Sequence, residues 1–370
     1  MKRYDFIIVG SGLYGAVLAQ ALHASGRSVL IIERRGHIGG NCYSYEYEDT
    51  GITLHKYGTH IFHCSNRRTW EYMSRFGEFN RYQHRVLTTC QNRVYSMPVN
   101  LGTINAFYGV NLRPAEVDAF MRSKITSCDN PRNLEEMAVS LIGRELYEVF
   151  IKGYTKKHWG CDPRELPPGI INRLPVRSSY FDSYYNDYYQ GVPVEGYTKL
   201  FEKMLAGIPV ELNTDFFDGR DRWLRHCDTL IYTGCIDRFF DYIHGRLSWR
   251  SVRFETERLP MNDFQGAGVM NYADEAVPYT RIHEPKHLHR EKSHKEGTTV
   301  IVREYPHTDH REPYYPVGVD ADKEKLTKYQ ALASREKQVI FGGRLADYKY
   351  YDMHQAIEAA LAVFEERCAK

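Results

Sequence analysis

Three glycines and one acidic residue near the start of the chain have the spacing of a dinucleotide-binding site. Gly10, Gly12 and Gly15 follow one another closely, and Glu33 comes about twenty residues later. The first glycine permits a tight turn, the second lets the backbone approach a pyrophosphate, and the third lets a helix pack against a strand. Glu33 would accept hydrogen bonds from a ribose hydroxyl, and its charge would repel the 2′-phosphate of NADP.

The residues around this motif predict the elements that must hold it. The apolar run 4–9 predicts a strand, residues 16–24 a helix, and residues 28–32 a second buried strand that ends at Glu33. The N-terminus of such a helix offers free N–H groups to phosphates. A glycine turn that only tightens a strand–helix corner is the alternative interpretation.

The segment that follows Glu33 favours FAD over NAD. Residues 33–41, Glu-Arg-Arg-Gly-His-Ile-Gly-Gly-Asn, resemble the continuation of the fingerprint in FAD-binding flavoproteins with two dinucleotide domains. A second glycine pair, Gly39 and Gly40, lets the backbone approach the ligand again. A plain Gly-Gly loop is the competing interpretation.

Composition excludes several classes of protein. The 370 residues carry 49 Lys and Arg against 47 Asp and Glu, a net charge of +2, so neither nucleic acid nor an anionic membrane surface is an expected partner. No apolar run approaches the length of about 20 residues that a membrane span needs. Met1 leads directly into the first predicted strand, and we therefore expect a soluble cytoplasmic protein. The 29 tyrosines suit a wet cleft that grips a polar ligand.

Cysteines and histidines give little reason to expect a metal or disulfides. The eight cysteines form no Cys-x-x-Cys pair. His60, His63 and Cys64 lie close together in sequence, but no second cluster completes a tetrahedral set. We predict no metal site, and a histidine beside the cofactor is the preferred interpretation.

The remainder of the chain predicts a helical region and a set of extended segments. Helical periodicity covers 101–152, and the Gly- and Pro-containing stretch 153–168 is expected to be a loop that could serve as a lid. The histidine-rich run 283–294 is expected to be a solvated hairpin tip. A strand over 338–341 and an amphipathic helix after Asp352 fit a return of the chain to the first domain. Further extended runs are predicted at 85–89, 93–97, 250–259, 267–272 and 298–305.

Together these motifs resemble bacterial UDP-galactopyranose mutases, in order over essentially the whole chain. The resemblance is carried by the glycine motif with residues 33–41, and by His-Lys-Tyr-Gly-Thr-His-Ile-Phe-His, Ile-Lys-Gly-Tyr-Thr-Lys-Lys-His-Trp-Gly, Tyr-Gln-Gly-Val-Pro-Val-Glu-Gly-Tyr-Thr-Lys-Leu, Tyr-Thr-Arg-Ile-His-Glu, Glu-Pro-Tyr-Tyr-Pro-Val and Phe-Gly-Gly-Arg-Leu-Ala-Asp-Tyr-Lys-Tyr-Tyr-Asp-Met-His-Gln.

The resemblance implies an α/β fold in three parts, usually as a homodimer. An FAD-binding Rossmann-like domain would be assembled from discontinuous segments, beside a helical bundle and a twisted antiparallel sheet domain. The implied boundaries are 1–80, 190–244 and 318–370 for the FAD domain, 100–165 for the helices with a lid at 166–178, and 81–99, 179–189 and 245–317 for the sheet.

The implied activity is a ring contraction without net redox. UDP-galactopyranose and UDP-galactofuranose would interconvert after reduced flavin N5 attacks the anomeric carbon, supplying furanose for cell-surface polysaccharide. The cofactor is FAD, active when reduced by NAD(P)H or another reductant, and it provides the nucleophile in place of a serine or cysteine.

Matching the motifs position by position assigns roles to individual residues. Arg173 on the lid and Arg281 would flank the diphosphate, and His60 would lie near the flavin ring. Hydroxyl groups for the phosphates would come from Tyr184, Tyr314 and Tyr350, although the neighbours Tyr315 and Tyr351 stay open as alternatives. The substrate pocket would be lined by Phe150, Tyr154, Thr155, Trp159, Asn271 and His84. The cofactor would be held by Gly10, Gly12, Leu13, Gly15, Glu33, Arg34, Gly40, Asn41, His60, Ile61, Arg344, Tyr351, Asp352, Met353 and Gln355.

Two departures from the family pattern leave the sugar open. Thr59 stands where a small residue or proline is common, and Gln83 or His84 where an asparagine often contacts the nucleotide. A related nucleotide sugar, with N-acetylgalactosamine or a 6-deoxy sugar, is therefore an alternative substrate. A flavin amine oxidase-like oxidoreductase is a second alternative, and a flavin-bound scaffold without turnover is a third.

Overall fold

The computed structural model describes residues 3–171, 176–308 and 312–368 of the protein. The strands of these residues are β1 (Tyr4–Val9), β2 (Val29–Ile32), β3 (Ser44–Glu46), β4 (Thr53–His55), β5 (Phe62–Cys64), β6 (Val86–Cys90), β7 (Arg93–Met97), β8 (Tyr189–Gly191), β9 (Val210–Glu211), β10 (Cys227–Tyr232), β11 (Trp249–Leu259), β12 (Val269–Tyr272), β13 (Arg281–His283), β14 (Thr299–His307), β15 (Tyr315–Pro316) and β16 (Val339–Phe341). The helices are α1 (Leu13–Ala24), α2 (Arg67–Ser74), α3 (Leu101–Tyr108), α4 (Pro114–Arg122), α5 (Leu134–Ile142), α6 (Arg144–Leu146), α7 (Gly153–Trp159), α8 (Tyr197–Met204), α9 (Arg220–Arg225), α10 (Ile236–Phe239), α11 (Asp320–Ala333) and α12 (Met353–Val363).

A five-stranded parallel sheet forms the Rossmann-like part of the molecule. Its strand order is β16-β10-β1-β2-β9, and every neighbouring pair is parallel. The central strand β1 is apolar because both faces are covered, and Ile7 and Ile8 have no exposed surface. Helices α1 and α12 pack against each other, so the C-terminal strand and helix return to the first domain, as predicted.

A seven-stranded sheet forms the second layer. Its order is β15-β11-β14-β13-β12-β6-β7, and all neighbours are antiparallel except β12 and β6, which run parallel. The prediction of an antiparallel sheet is therefore wrong at one pair, β6 and β12, which are far apart in the sequence. Arg281 on β13 lies opposite Asn271 on β12 and opposite Glu304 on β14. Opposed residues share a face of a sheet, so these three side chains lie together.

The predicted helical region folds into α3 to α7 around its own apolar cluster. Residues Gly153–Trp159 were expected to be a loop, and that expectation is wrong, because they form α7 directly after a π-helical stretch, Tyr147–Lys152. Gly153 sits where a side chain would lie 2.5 Å from the Ala273 carbonyl oxygen, so the glycine serves close packing. Gly160, at φ +70°, ends the helix.

The histidine-rich run is buried or half-buried over residues 283–289, whereas residues 290–294 are exposed or half-exposed. Its expected exposure is wrong for His283, Glu284 and His289, each of which has at most 3% of its surface exposed. The Glu284 carboxylate accepts hydrogen bonds from the N–H groups of Phe264 and Gln265, which explains how a charged side chain is tolerated there. Among the described residues, no helix has both the length and the apolar character to cross a membrane.

A cofactor cavity and an arginine–tyrosine cluster

A cavity of about 880 Å³ opens where the parallel strands β1, β2 and β10 end. Gly10 has φ +101°, and a Cβ on Gly15 would lie 2.2 Å from the Gly10 carbonyl oxygen. A Cβ on Gly40 would lie 2.9 Å from the Gly12 Cα, so the loop of Gly39 and Gly40 packs directly against the first glycine motif. The predicted cofactor residues that line this cavity are Gly10, Gly12, Leu13, Gly15, Glu33, Arg34, Gly40, Asn41, His60, Arg344, Tyr351, Asp352 and Met353.

Glu33 binds the glycine loop from the end of β2. One carboxylate oxygen accepts hydrogen bonds from the Ser11 N–H at 2.9 Å and the Ser11 hydroxyl at 2.8 Å, and the other from the Arg35 N–H at 2.9 Å. A carboxylate has about four acceptor positions, so these bonds leave room for a ribose hydroxyl.

His60 lies at the cavity wall as a neutral ring. Its Nδ1 lies 2.7 Å from the Gly58 carbonyl oxygen, which assigns the proton to Nδ1 and leaves Nε2 as an acceptor. Burial lowers the pKa of His60 to about 4. The backbone N–H of His60 donates a hydrogen bond to His55 Nδ1 at 3.0 Å, which fixes the loop that carries His60.

Arg344 joins the cavity to the neighbouring tyrosines. Its guanidinium donates to the carbonyl oxygens of Tyr351 at 2.5 Å and Tyr314 at 3.3 Å, and lies 5.5 Å from the ring centre of Tyr350.

Two predicted cofactor residues stand behind the cavity wall rather than on it. Gln355 accepts a hydrogen bond from the Asp352 N–H at 3.0 Å and closes the N-terminal cap of α12. Ile61 belongs to the apolar core.

The far end of the cavity is lined by residues that no motif pointed to. Arg238 pairs with Asp215 at 3.0 Å and lies 4.2 Å from the ring centre of Phe217, while Arg246 lies 3.8 Å from that of Tyr242. These residues come from segments two hundred positions beyond the glycine motif, and nothing in their spacing signals a shared site.

Arg281 is the centre of a second, half-buried cluster beside this cavity. Its guanidinium lies 3.5 Å from the Glu304 carboxylate and 5.7 Å from the ring centre of Tyr154. Burial alone would lower the pKa of Arg281, but Glu304 and the surrounding tyrosines raise it well above its ordinary value. The arginine therefore keeps its charge.

Three buried polar side-chain atoms around this arginine have no hydrogen-bond partner among the described residues: the Tyr154 hydroxyl, the Asn271 Oδ1 and the His158 Nδ1. Buried polar atoms are normally satisfied. The hydroxyl can donate to an anion and the amide oxygen can only accept, so the arrangement fits a polar ligand that carries both acceptors and donors.

Tyr315, rather than Tyr314, faces this cluster. The Tyr315 ring stacks on Tyr350 with ring centres 5.5 Å apart and lies 5.4 Å from the ring of His158. Tyr314 is buried, and the largest charge effects on its hydroxyl come from Arg35 and Glu312, with a smaller one from Glu304. Their side chains alternate because they are neighbours in an extended segment.

His84 and Tyr184 form the opposite edge of the cluster. Their ring centres are 5.4 Å apart, and burial lowers the pKa of His84 to about 3. Tyr185, to which no motif pointed, stacks on His63 at 3.6 Å and on His84 at 5.6 Å.

The remaining predicted substrate residues come from the helical region. Thr155 and Trp159 lie on α7, and Phe150 on the π-helical stretch, where its ring lies 5.0 Å from that of Tyr95 in the core. Phe150 and Thr155 are buried. Arg173 lies outside the described residues.

The fold and the cavity are those of a Rossmann-like dinucleotide-binding protein, with an arginine–tyrosine cluster beside the cavity. Comparison with known proteins identifies the family: residues 149–350 match UDP-galactopyranose mutase, and residues 8–76 match an NAD(P)-binding Rossmann-like domain. The chain belongs to the UDP-galactopyranose mutase family of isomerases.

Individual relatives agree with this assignment. The chain is 41% identical to a probable UDP-galactopyranose mutase of Klebsiella pneumoniae, over 99% of this chain and 95% of that protein. It is 38% identical to a dTDP-fucopyranose mutase of Escherichia coli, over 96% of each. A crystal structure of reduced UDP-galactopyranose mutase shares the fold, with a TM-score of 0.78 at 15% identity, over 99% of this chain and 94% of that one.

Proposed function

We propose that the protein interconverts UDP-galactopyranose and UDP-galactofuranose with reduced FAD as its cofactor. The observation that carries the proposal is the half-buried Arg281 with the unpaired Tyr154 hydroxyl and Asn271 oxygen, beside a cavity of dinucleotide size. Membership of the mutase family supports the same activity.

The residues at the cavity fit FAD. A Cβ on Gly12 would point into open space, and the N-terminus of α1 lines the same cavity. Glu33 has an acceptor position left for the ribose. Arg344, Asp352 and Met353 would hold the flavin end, and Phe217 with the arginines of the far end would hold the adenosine. When bound and reduced, the flavin supplies a nucleophilic nitrogen, N5, for the anomeric carbon.

The chain's own residues would bind and orient the nucleotide sugar. Arg281, with Arg173, would neutralise the diphosphate as it leaves, since a preorganised guanidinium stabilises charge that develops in the transition state. Hydroxyl groups would come from Tyr184, Tyr350 and Tyr315, with Tyr314 as the less favoured neighbour. Neutral His60 would offer an acceptor nitrogen beside the flavin. The nucleoside would lie against Phe150, Tyr154, Thr155, Trp159, Asn271 and His84.

The domain boundaries inferred from the sequence complete the proposal. The cofactor part comprises 1–80, 190–244 and 318–370, the helices 100–165 with a lid at 166–178, and the sheet the remaining segments. We further propose a cytoplasmic homodimer that is reduced by NAD(P)H or another donor and supplies furanose for cell-surface polysaccharide.

A mutase that acts on a related nucleotide sugar is the second candidate. It is supported by the 38% identity of the chain to a dTDP-fucopyranose mutase of Escherichia coli. An amine oxidase-like activity is less favoured, since oxidation of an amine does not require an arginine among tyrosines.

An anaerobic assay tests these candidates. Dithionite-reduced protein is incubated with a panel of UDP- and dTDP-furanoses, and the products are separated by chromatography. Conversion of UDP-galactofuranose only after reduction supports the proposal, and preference for another sugar selects the second candidate. Equal turnover with oxidised flavin would contradict the role of N5, and steady oxygen consumption with an amine would favour an oxidase.

A further inference from the structure

Lys157 on α7 is a half-buried lysine whose ammonium contacts three backbone carbonyls. Its Nζ lies 2.7 Å from the carbonyl oxygen of Tyr272, 2.8 Å from that of Asp274 and 3.1 Å from that of Tyr279. An ammonium has three N–H donors and no acceptor, so these three carbonyls use all its hydrogen-bonding capacity. The ammonium groups of lysines ordinarily remain in water, so three hydrogen bonds to backbone carbonyls indicate a specific structural contact.

The three carbonyls belong to one turn of the substrate sheet. Tyr272 ends β12, Tyr279 precedes β13, and the turn between them joins Asn271 to Arg281. Asn271 and Arg281 are opposed in the register of these two strands. Lys157 therefore holds together the backbone of the turn that connects Asn271 and Arg281.

The same helix contacts the turn a second time and is fixed at its other end. The Ala273 carbonyl oxygen packs against Gly153, where a Cβ would lie only 2.5 Å from it. At the C-terminal end of α7, Arg250 on β11 donates to the His158 carbonyl oxygen at 2.9 Å and to that of Lys157 at 3.4 Å. The helix is thus attached both to the turn between β12 and β13 and to strand β11.

Electrostatics distinguish Lys157 from its neighbour on the helix. Burial lowers the pKa of Lys157 to about 8, and Asp274 and Glu275 counteract part of that effect. Lys156 instead makes an ordinary surface pair, with its Nζ 3.6 Å from the Glu275 carboxylate. The two lysines reach the same turn, but only Lys157 is held by its backbone.

We propose that Lys157 is a positioning residue that holds Tyr154 on α7 in place against Asn271 and Arg281, so that the diphosphate and nucleoside site is formed before ligand binds. The inference rests on the proposed function, since it assigns these three residues to a UDP-sugar. A site that is already ordered loses less conformational entropy on binding, so removal of the ammonium weakens affinity for the nucleotide.

The test replaces Lys157 with Met, which keeps the apolar stem and removes all three donors. UDP is titrated into the full-length flavin-loaded protein by calorimetry. We expect the dissociation constant to rise at least about tenfold, the KM for the UDP-sugar to rise in parallel, and the flavin content and absorbance spectrum to match wild type. Lys157→Arg should restore part of the affinity, because a guanidinium also donates to several carbonyls. The matched control, Lys156→Met, should bind UDP as wild type does.

Equal UDP affinity of wild type and Lys157→Met would overturn the positioning role. If that variant does not fold, Lys157→Gln decides, because its neutral amide keeps two N–H donors at most: weaker UDP binding than wild type supports the inference, and unchanged binding overturns it. Wild-type protein that binds no UDP would instead overturn the proposed function, and this inference with it.

Discussion

The guanidinium of Arg281 lies 3.5 Å from the carboxylate of Glu304, whose side chain is only 3% exposed. The two residues are opposed on β13 and β14, and the carboxylate also bonds the Thr280 hydroxyl at 3.2 Å and His283 Nε2 at 3.1 Å. Burial alone would raise the pKa of Glu304, but Arg281 and His283 hold it well below its usual range. A fixed buried anion thus sets the direction of the arginine that faces the proposed diphosphate.

Replacement of Arg281 should therefore reduce activity strongly. We expect Arg281→Ala to lower kcat/KM at least about a hundredfold, roughly 2.7 kcal/mol of transition-state stabilisation, and to leave the Glu304 carboxylate buried without its partner. Arg281→Lys keeps the charge without the planar fork and should lose less. Steady-state kinetics with reduced protein measure both. Near-normal activity of Arg281→Ala would show that the diphosphate binds elsewhere.

The neighbours Tyr314 and Tyr315 provide a matched pair of variants. Tyr315→Phe should lower kcat/KM about tenfold or more, because a hydrogen bond to a charged phosphate contributes about 1.5–3 kcal/mol. Tyr314→Phe should change it less than threefold, since the largest charge effects on that hydroxyl come from Arg35 and Glu312. The reverse order of effects would assign the phosphate contact to Tyr314.

The glycine cradle predicts two different failures. A Cβ on Gly15 would lie 2.2 Å from the Gly10 carbonyl oxygen, so Gly15→Ala should destabilise the fold itself. A Cβ on Gly12 meets no described atom within 4 Å, so Gly12→Ala should fold normally and lose flavin. Thermal unfolding and the flavin absorbance of purified protein separate the two effects. Wild-type flavin content in Gly12→Ala would place the cofactor phosphates elsewhere.

Buried histidines predict that stability falls in mild acid. Burial lowers the pKa of His60 and His158 to about 4 and that of His84 to about 3, against an ordinary value of 6.5. Between pH 6.5 and 5 the unfolded chain binds protons at these sites and the folded chain does not, so the free energy of unfolding falls as pH falls. The slope approaches about 4 kcal/mol per pH unit for three histidines.

Urea unfolding at pH 7.5, 6.5, 5.5 and 5.0 measures that slope. The variant His84→Asn removes one titrating ring and should reduce the slope by about 1.4 kcal/mol per pH unit. An unchanged slope would mean that His84 is not held neutral in the folded protein.

The local motifs allowed correct prediction of the cofactor half of the fold. The glycines, Glu33 and the strands around them follow from hydrophobic runs and turn chemistry within forty residues. The helix α7 was missed because Gly153 resembles a helix breaker, whereas the preceding π-helical turn and the contact with Ala273 override that propensity.

Local sequence patterns could not predict how segments far apart in the chain pack together. The parallel pairing of β6 with β12 joins residues more than 170 positions apart, and the register that places Glu304 beside Arg281 depends on that sheet as a whole. Arg238 and Arg246 line the cavity without any motif around them. From the sequence, Lys157 is indistinguishable from its neighbour Lys156, and both would be expected to be solvated. Only the tertiary structure shows that their contacts differ.

The strand order of the parallel sheet also determines when the sheet can be completed during synthesis of the chain. Strand β10 pairs with β1 on one side and with β16 on the other, and β16 is made more than 100 residues after β10. At about 5–20 residues per second, the edge of β10 stays uncovered on the ribosome for roughly 5–20 seconds. Until then the nascent first domain presents an unpaired strand edge, so we expect aggregation during synthesis to depend on the speed of translation between residues 232 and 339.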